Sequence, residues 1–171
     1  MLNERVVLLE VKLLFKKQQY LESLALIEPL ILIKQPGSEH IELLATAARL
    51  EALIGEEAEV QWNKLFRKTL LQENNIQAKY QVILKRIDAI IAIQNQQYQT
   101  ALELLQDASD YYKEQANRRA IANCLEEMAD VEFKLNNQEQ ALRYLERALS
   151  IRVWLKDQHH INKIQKRMIA K

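Results

Sequence analysis

Residues 117–155 read NRRAIANCLEEMADVEFKLNNQEQALRYLERALSIRVWL. Apolar residues recur here at spacings of three and four: Ile121, Leu125, Met128 and then Ala141, Leu145, Ala148. That is the period of an amphipathic helix, whose inward stripe repeats every 3.6 residues. Between the two runs stands Asn136-Asn137, a weak helix stop. Two helices of more than four turns joined by so short a break must fold back on each other as an antiparallel hairpin.

The same reading extends outward along the chain. Second helices recur as YLESLALIEPL (20–30), YQTALELLQDA (98–108) and QEQALRYLERA (138–148). Aligned, they place Ser23, Ala101 and Ala141 together, then Ile27, Leu105 and Leu145, then Leu30, Ala108 and Ala148. From Ala101 to Ala141 is 40 residues, and from Ser23 to Ala101 is 78, which leaves room for one more unit centred near Val60. The second helix of that unit, EEAEVQWNKLFRKTLL, matches less well. Gln35-Pro36-Gly37-Ser38 is the strongest turn, with Ser38 as N-cap. Gly55 suits a left-handed helix end, Asn74-Asn75 and Asn95 are further stops, and Asp157 can cap a final helix. The spacing predicts hairpins over 3–34, 39–72, 76–114 and 117–155, and a terminal helix over 158–170. These form a single domain over 1–171.

Composition agrees. Among 171 residues there are 2 Gly and 2 Pro, where an average chain has about 12 and 9. Sheet folds need many turns built on those residues, so a sandwich, barrel or doubly wound sheet is excluded. With 49% hydrophobic and 27% charged residues the chain is not disordered. A net charge of +1 selects neither nucleic acid nor an anionic membrane. No run approaches 18 apolar residues, and the N-terminus carries Glu4, Glu10 and Lys12 where a signal peptide would be apolar. One cysteine, Cys124, fits a reducing compartment, so the expected location is cytoplasmic.

The small, large, small pattern of the second helices resembles the tetratricopeptide (TPR) repeat, in a long variety of about 40 residues. Leu125, Met128 and Ala129 fall on its first-helix positions, Ala141, Leu145 and Ala148 on its second-helix positions, and Tyr20 and Tyr98 on its aromatic after the turn. Departures are the aromatic of the first helix, replaced by Glu132 and Ala92, and Pro29 inside a second helix, where a kink is expected. The resemblance implies an all-α, right-handed solenoid of about four hairpins with a C-terminal capping helix. It also implies a concave face lined by first helices. Carried over residue by residue, the ligand-facing positions are Arg5, Leu8, Lys12, Phe15 and Lys16; Arg49 and Leu53; Arg86, Ile90 and Ile93; and Asn123, Glu126, Asp130, Phe133 and Lys134. The family's full clamp for a peptide's terminal carboxylate is absent.

No catalytic constellation stands out. Two glycines cannot build a phosphate loop, and His159 and His160, being adjacent, cannot form an i, i+4 metal pair. No enzyme activity, cofactor or metal is expected. Cys124 reads as a packed thiol, Trp62 and Phe66 as core, and Glu126, Glu127 and Asp130 as a solvated face or an acid-lined groove. Trp154 either anchors the terminal helix or meets a partner. Lys163, Lys166, Arg167 and Lys171 make the C-terminus basic, but Ile161, Ile164 and Met168 give the same helix the apolar stripe of a cap. The expected function is a non-catalytic module binding a protein or peptide, one with acidic residues between apolar anchors, in its concave groove. The alternative is a ligand- or peptide-sensing regulatory domain of a longer signalling or transcription regulator. Membrane and nucleic acid are not expected partners, and the oligomeric state is left open.

Overall fold

The computed structural model describes residues 4–33, 38–55, 61–72 and 77–170. The turn at 35–37, the stop at 74–75, Val60, Lys171 and the side chain of Ser38 lie outside them. Among the described residues there is no strand, and the chain is a succession of helices. They are α1 (Glu4–Lys16), α2 (Tyr20–Ile33), α3 (Ser38–Ile54), α4 (Gln61–Gln72), α5 (Ala78–Gln94), α6 (Tyr98–Glu114), α7 (Arg118–Lys134), α8 (Gln138–Trp154) and α9 (Gln158–Ile169). Pro29 is accommodated on the exposed side of α2, which continues through it to Ile33.

The chain divides into two compact units, Met1–Ile87 and Asp88–Lys171. In the first, α1 packs on α2, α2 on α3 and α3 on α4. Val7 and Val11 of α1, Ile27 and Ile31 of α2, Leu44, Ala47, Ala48 and Leu50 of α3, and Trp62, Phe66 and Leu70 of α4 are buried. Trp62 and Phe66 are thus core, as their spacing implies. Ser23 stands where the repeat wants a small residue and is fully buried. Its hydroxyl donates to the Gln19 carbonyl at 2.9 Å and faces the Val11 carbonyl of α1 at 3.4 Å, so no polar group is stranded.

In the second unit α6 packs on α7, α7 on α8 and α8 on α9. Ala101, Leu105 and Ala108 on α6 and Ala141, Leu145 and Ala148 on α8 are all buried, together with Ala122, Leu125, Met128 and Ala129 of α7. The small, large, small register is therefore a packing register: the alanines let neighbouring helices approach while the leucine between them fills the interface. Cys124 is fully buried and forms no disulfide. Ala141→Leu or Ala148→Leu is expected to overpack this interface and cost about 1–3 kcal/mol, while exposed Gln138→Ala stays near neutral; urea midpoints compare the three.

How the chain turns with so few glycines is visible at the helix ends. Gln18, Gln96, Ala116, Asn136 and Lys156 each adopt φ between 51° and 61°. At each, the left-handed residue donates its N–H three residues back and the next residue donates five back, as in Asn136 N–H to Phe133 and Asn137 N–H to Glu132. This is the Schellman closure of a helix C-terminus. Four of the five positions, 96, 116, 136 and 156, are 20 residues apart, so α6, α7 and α8, each of 17 residues, are followed by the same turn. Two such steps make the 40-residue repeat. A left-handed alanine carries a steric cost that glycine lacks. Ala116→Gly is expected to raise stability by about 0.5–1 kcal/mol, read as a higher urea midpoint.

Candidate functional site

The site begins with which side chains α1 has left over. Val7 and Val11 are spent on packing. Leu9, Lys12, Leu13 and Lys16 are left exposed. These four, with Val11 and Phe15, form one wall of a cleft of about 700 Å³ in the first unit. Glu42, Ala45, Thr46 and Arg49 of α3 form the second wall, and Lys79, Tyr80 and Ile83 of α5 the third.

The lining is apolar within and cationic at its polar points. Arg49 holds its guanidinium 4.9 Å from the centroid of the Phe15 ring, which in turn meets Tyr20 edge-on at 5.5 Å. Lys79 Nζ lies 3.0 Å from Glu42 Oε1 and 4.7 Å from the Tyr80 ring centroid. The hydrogen bond to Glu42 holds the Lys79 ammonium above its ordinary pKa. Lys12 and Lys16 have no carboxylate partner among the described residues. Among the described lining residues one acid therefore faces four cations, and it is already engaged by one of them.

A second feature holds the same unit together. Glu51 of α3, only 3% exposed, accepts the backbone N–H groups of Gln61 (3.0 Å), Trp62 (2.9 Å) and Asn63 (2.8 Å) at the start of α4. It caps a helix other than its own. Burial raises its carboxyl above the usual range, although the three donors favour the ionised form. Trp62 Nε1 donates to Glu28 of α2 at 2.9 Å.

In the second unit the largest fully buried side chain is Arg152, 1% exposed. Its Nε and Nη2 donate to Glu126 Oε1 at 2.9 and 2.7 Å, Nη2 also donates to Asn123 Oδ1 at 2.6 Å, and Nη1 lies 3.3 Å from Asp157 Oδ2. Asp157 also caps α9 through the His160 N–H, as its position implies, and lies 3.0 Å from the His160 ring nitrogen Nδ1. Burial works to raise the Asp157 carboxyl, but the His160 hydrogen bonds and the charges of His160 and Arg152 outweigh it and leave it below its ordinary value. Arg167 of α9 pairs with Asp130, and Ile164 is fully buried. Among the described residues no cluster of His, Cys, Asp and Glu could hold a metal ion, and no helix is long and apolar enough to cross a membrane.

Of the residues singled out from sequence, Lys12, Phe15, Lys16 and Arg49 come together in the cleft. Arg5 is exposed and Leu8 and Leu53 are half-buried outside its lining. Arg86 corrects the expectation of a surface cation. It is 8% exposed, because helical spacing sets it on the same face as buried Val82 and Ala89. Ile90 and Ile93 are half-buried on the part of α5 in the second unit. Asn123 and Glu126 are turned to Arg152, whose buried charge must be neutralised, so Glu126 is not part of a solvated face, whereas Glu127 is half-buried. Asp130 is exposed and paired with Arg167, Phe133 is half-buried and Lys134 exposed. Trp154 is 62% exposed and does not anchor α9; Arg118 stacks on its ring at 3.8 Å. Sequence reasoning missed Glu51 and Arg152. Each was signalled by a charge on an apolar stripe, Leu44-Ala47-Glu51 and Ala141-Leu145-Ala148-Arg152.

The family model described as the tetratricopeptide repeat matches residues 89–152, which span the end of α5 and α6 through α8. None of the curated proteins matches the chain. Repeats of this family generally mediate protein–protein interaction and are typically non-catalytic. With the matched segment, the all-helical chain whose consecutive helices pack within each unit, and the recurring small, large, small register, the chain is a tetratricopeptide-like helical repeat protein.

Proposed function

We propose that the protein is a non-catalytic interaction module that takes a segment of another protein into the cleft of its first unit. The observation that carries this reading is the joint presence there of exposed apolar side chains and cations with no carboxylate partner. Leu9 is 66% exposed and Leu13 beside it is also open, at one-turn spacing from each other and next to Lys12 and Lys16. Exposed leucines in a concave, cation-rimmed surface are what a protein partner covers. The alternative, a sensor of a small ligand, calls for an enclosed pocket. The openness of Leu9 and Leu13 favours the groove. A cytoplasmic setting belongs to the same reading, supported by the single, buried Cys124.

Site-directed photo-crosslinking tests it. A photoreactive residue at Leu13 is expected to trap a discrete partner segment in cells, while one at exposed Gln99 of α6 is not. The trapped segment, identified by mass spectrometry and synthesised, should bind the purified protein and lose affinity for the Lys12→Glu/Lys16→Glu variant. No adduct from Leu13, or the same adducts from both positions, contradicts the reading.

A further inference from the structure

We propose that the segment received by this cleft is an acidic amphipathic helix of the partner, not an extended peptide; the inference rests on the cleft being the binding surface. The first argument concerns backbone groups. The three walls are α1, α3 and α5, whose main-chain N–H and C=O groups are already paired within the helices except in the end turns at Lys16 and Lys79. Among the described residues no Asn or Gln lines the cleft, so none of them offers a side-chain amide both to donate to and to accept from a peptide backbone. An extended segment would lay most of its main-chain polar groups against Leu9, Leu13, Ala45 and Ile83, since Thr46 already bonds within α3 and Lys79 and Glu42 hold each other. A helix brings its own hydrogen bonds with it.

The second argument is register. On α1 the pair Leu9 and Leu13 and the pair Lys12 and Lys16 form two adjacent rows, each with a one-turn repeat. A helix lying along α1 presents rows with the same repeat, so a leucine row beside a glutamate row meets both at once. The third argument is charge. Lys12 and Lys16 have no carboxylate partner among the described residues, and Lys79 is held by Glu42. Acidic side chains on the partner complement the first two and a basic helix is repelled by them.

The experiment uses the full chain and three fluorescent peptides of about five helical turns. One is an amphipathic helix with a leucine stripe flanked by glutamates at i, i+4. The second has lysine in place of every glutamate. The third is the acidic peptide interrupted by two central prolines, which stop the helix. Anisotropy titrations at low and physiological salt are expected to show binding of the acidic helix, weaker at higher salt, with a gain in peptide helicity by circular dichroism. The proline-interrupted peptide should bind at least about tenfold more weakly, since it cannot form one continuous helix along the cleft. Lys12→Glu/Lys16→Glu should weaken the acidic helix about three- to tenfold and admit the lysine peptide instead. Equal binding of the interrupted peptide overturns the helical mode, and equal binding of the lysine peptide to the unaltered protein overturns the acidic one. Failure of the acidic helix to bind, while Leu13 still crosslinks a partner, sinks this inference alone. Binding that ignores the double substitution places the peptide elsewhere and removes the cleft reading with it. Self-association of the protein that the double substitution abolishes would assign the cleft to a second copy and overturn the proposal.

Discussion

Arg152→Met is expected to destabilise the protein by about 3 kcal/mol, because it takes from the buried Glu126 carboxylate the nearer of its two counter-charges and leaves only Arg167, 4.0 Å away. Glu126 is nearly as buried as Arg152, and both short contacts from the guanidinium reach its Oε1. Asn123 Oδ1 and Asp157 Oδ2 lose a donor in the same step. The loss propagates to α9, since Asp157 is also its N-cap. Arg152→Met combined with Glu126→Gln removes both charges and should recover much of the loss. Urea denaturation of these two variants and of Glu126→Gln alone, followed by fluorescence of Trp154 in a Trp62→Phe background, measures the coupling in the unit that holds it. Additive losses would mean that the two groups do not act as a pair.

Glu51→Ala is expected to cost about 2–3 kcal/mol. Three backbone N–H groups at the start of α4 lose their acceptor, and two of these hydrogen bonds are buried. Trp62 is among the three residues, so its own emission reports the change once Trp154 is replaced by Phe. Glu51→Gln is the more discriminating variant. Its carbonyl can still accept from Gln61 and Trp62, as Oε1 does now, but its amide would face the Asn63 N–H donor to donor. It should therefore fall between the unaltered protein and Glu51→Ala. A Glu51→Ala protein as stable as the original would mean that α4 does not depend on the cap.

The fold was legible because its signal is repeated. Ala101-Leu105-Ala108 and Ala141-Leu145-Ala148 stand 40 residues apart, and all six are buried. The turns were legible only in part. Asn136 tolerates left-handed backbone, but nothing in an alanine or lysine marks Ala116 or Lys156 for φ above 50°. Tertiary packing of equal-length helices, not residue preference, puts them there. The site was half legible for a similar reason. Lys12, Phe15, Lys16 and Arg49 could be carried over from the repeat positions. Lys79 and Tyr80 could not, since the segment before α5 matches the repeat poorly and its register cannot be counted from there. Arg86, Glu51 and Arg152 show the general limit. A charge at a core-facing position looks like an error in register until its partner is seen, and the partners of Glu51 and Arg152 lie on other helices or beyond a turn.

The central claim is that the first-unit cleft is a binding surface and not a set of solvated helix faces. It is tested most directly by mapping chemical-shift changes across the isotopically labelled protein as the partner segment trapped at Leu13 is added. Ala45, Thr46 and Ile83 line the cleft and carry methyl groups, so they report occupancy from two walls that the crosslinker does not touch. The account predicts saturable shifts at these three methyls, with Ala101, Ala141 and Ala148 unmoved, and loss of the shifts in Lys12→Glu/Lys16→Glu. Shifts confined to the second unit, or saturable binding that leaves all three cleft methyls in place, would contradict it.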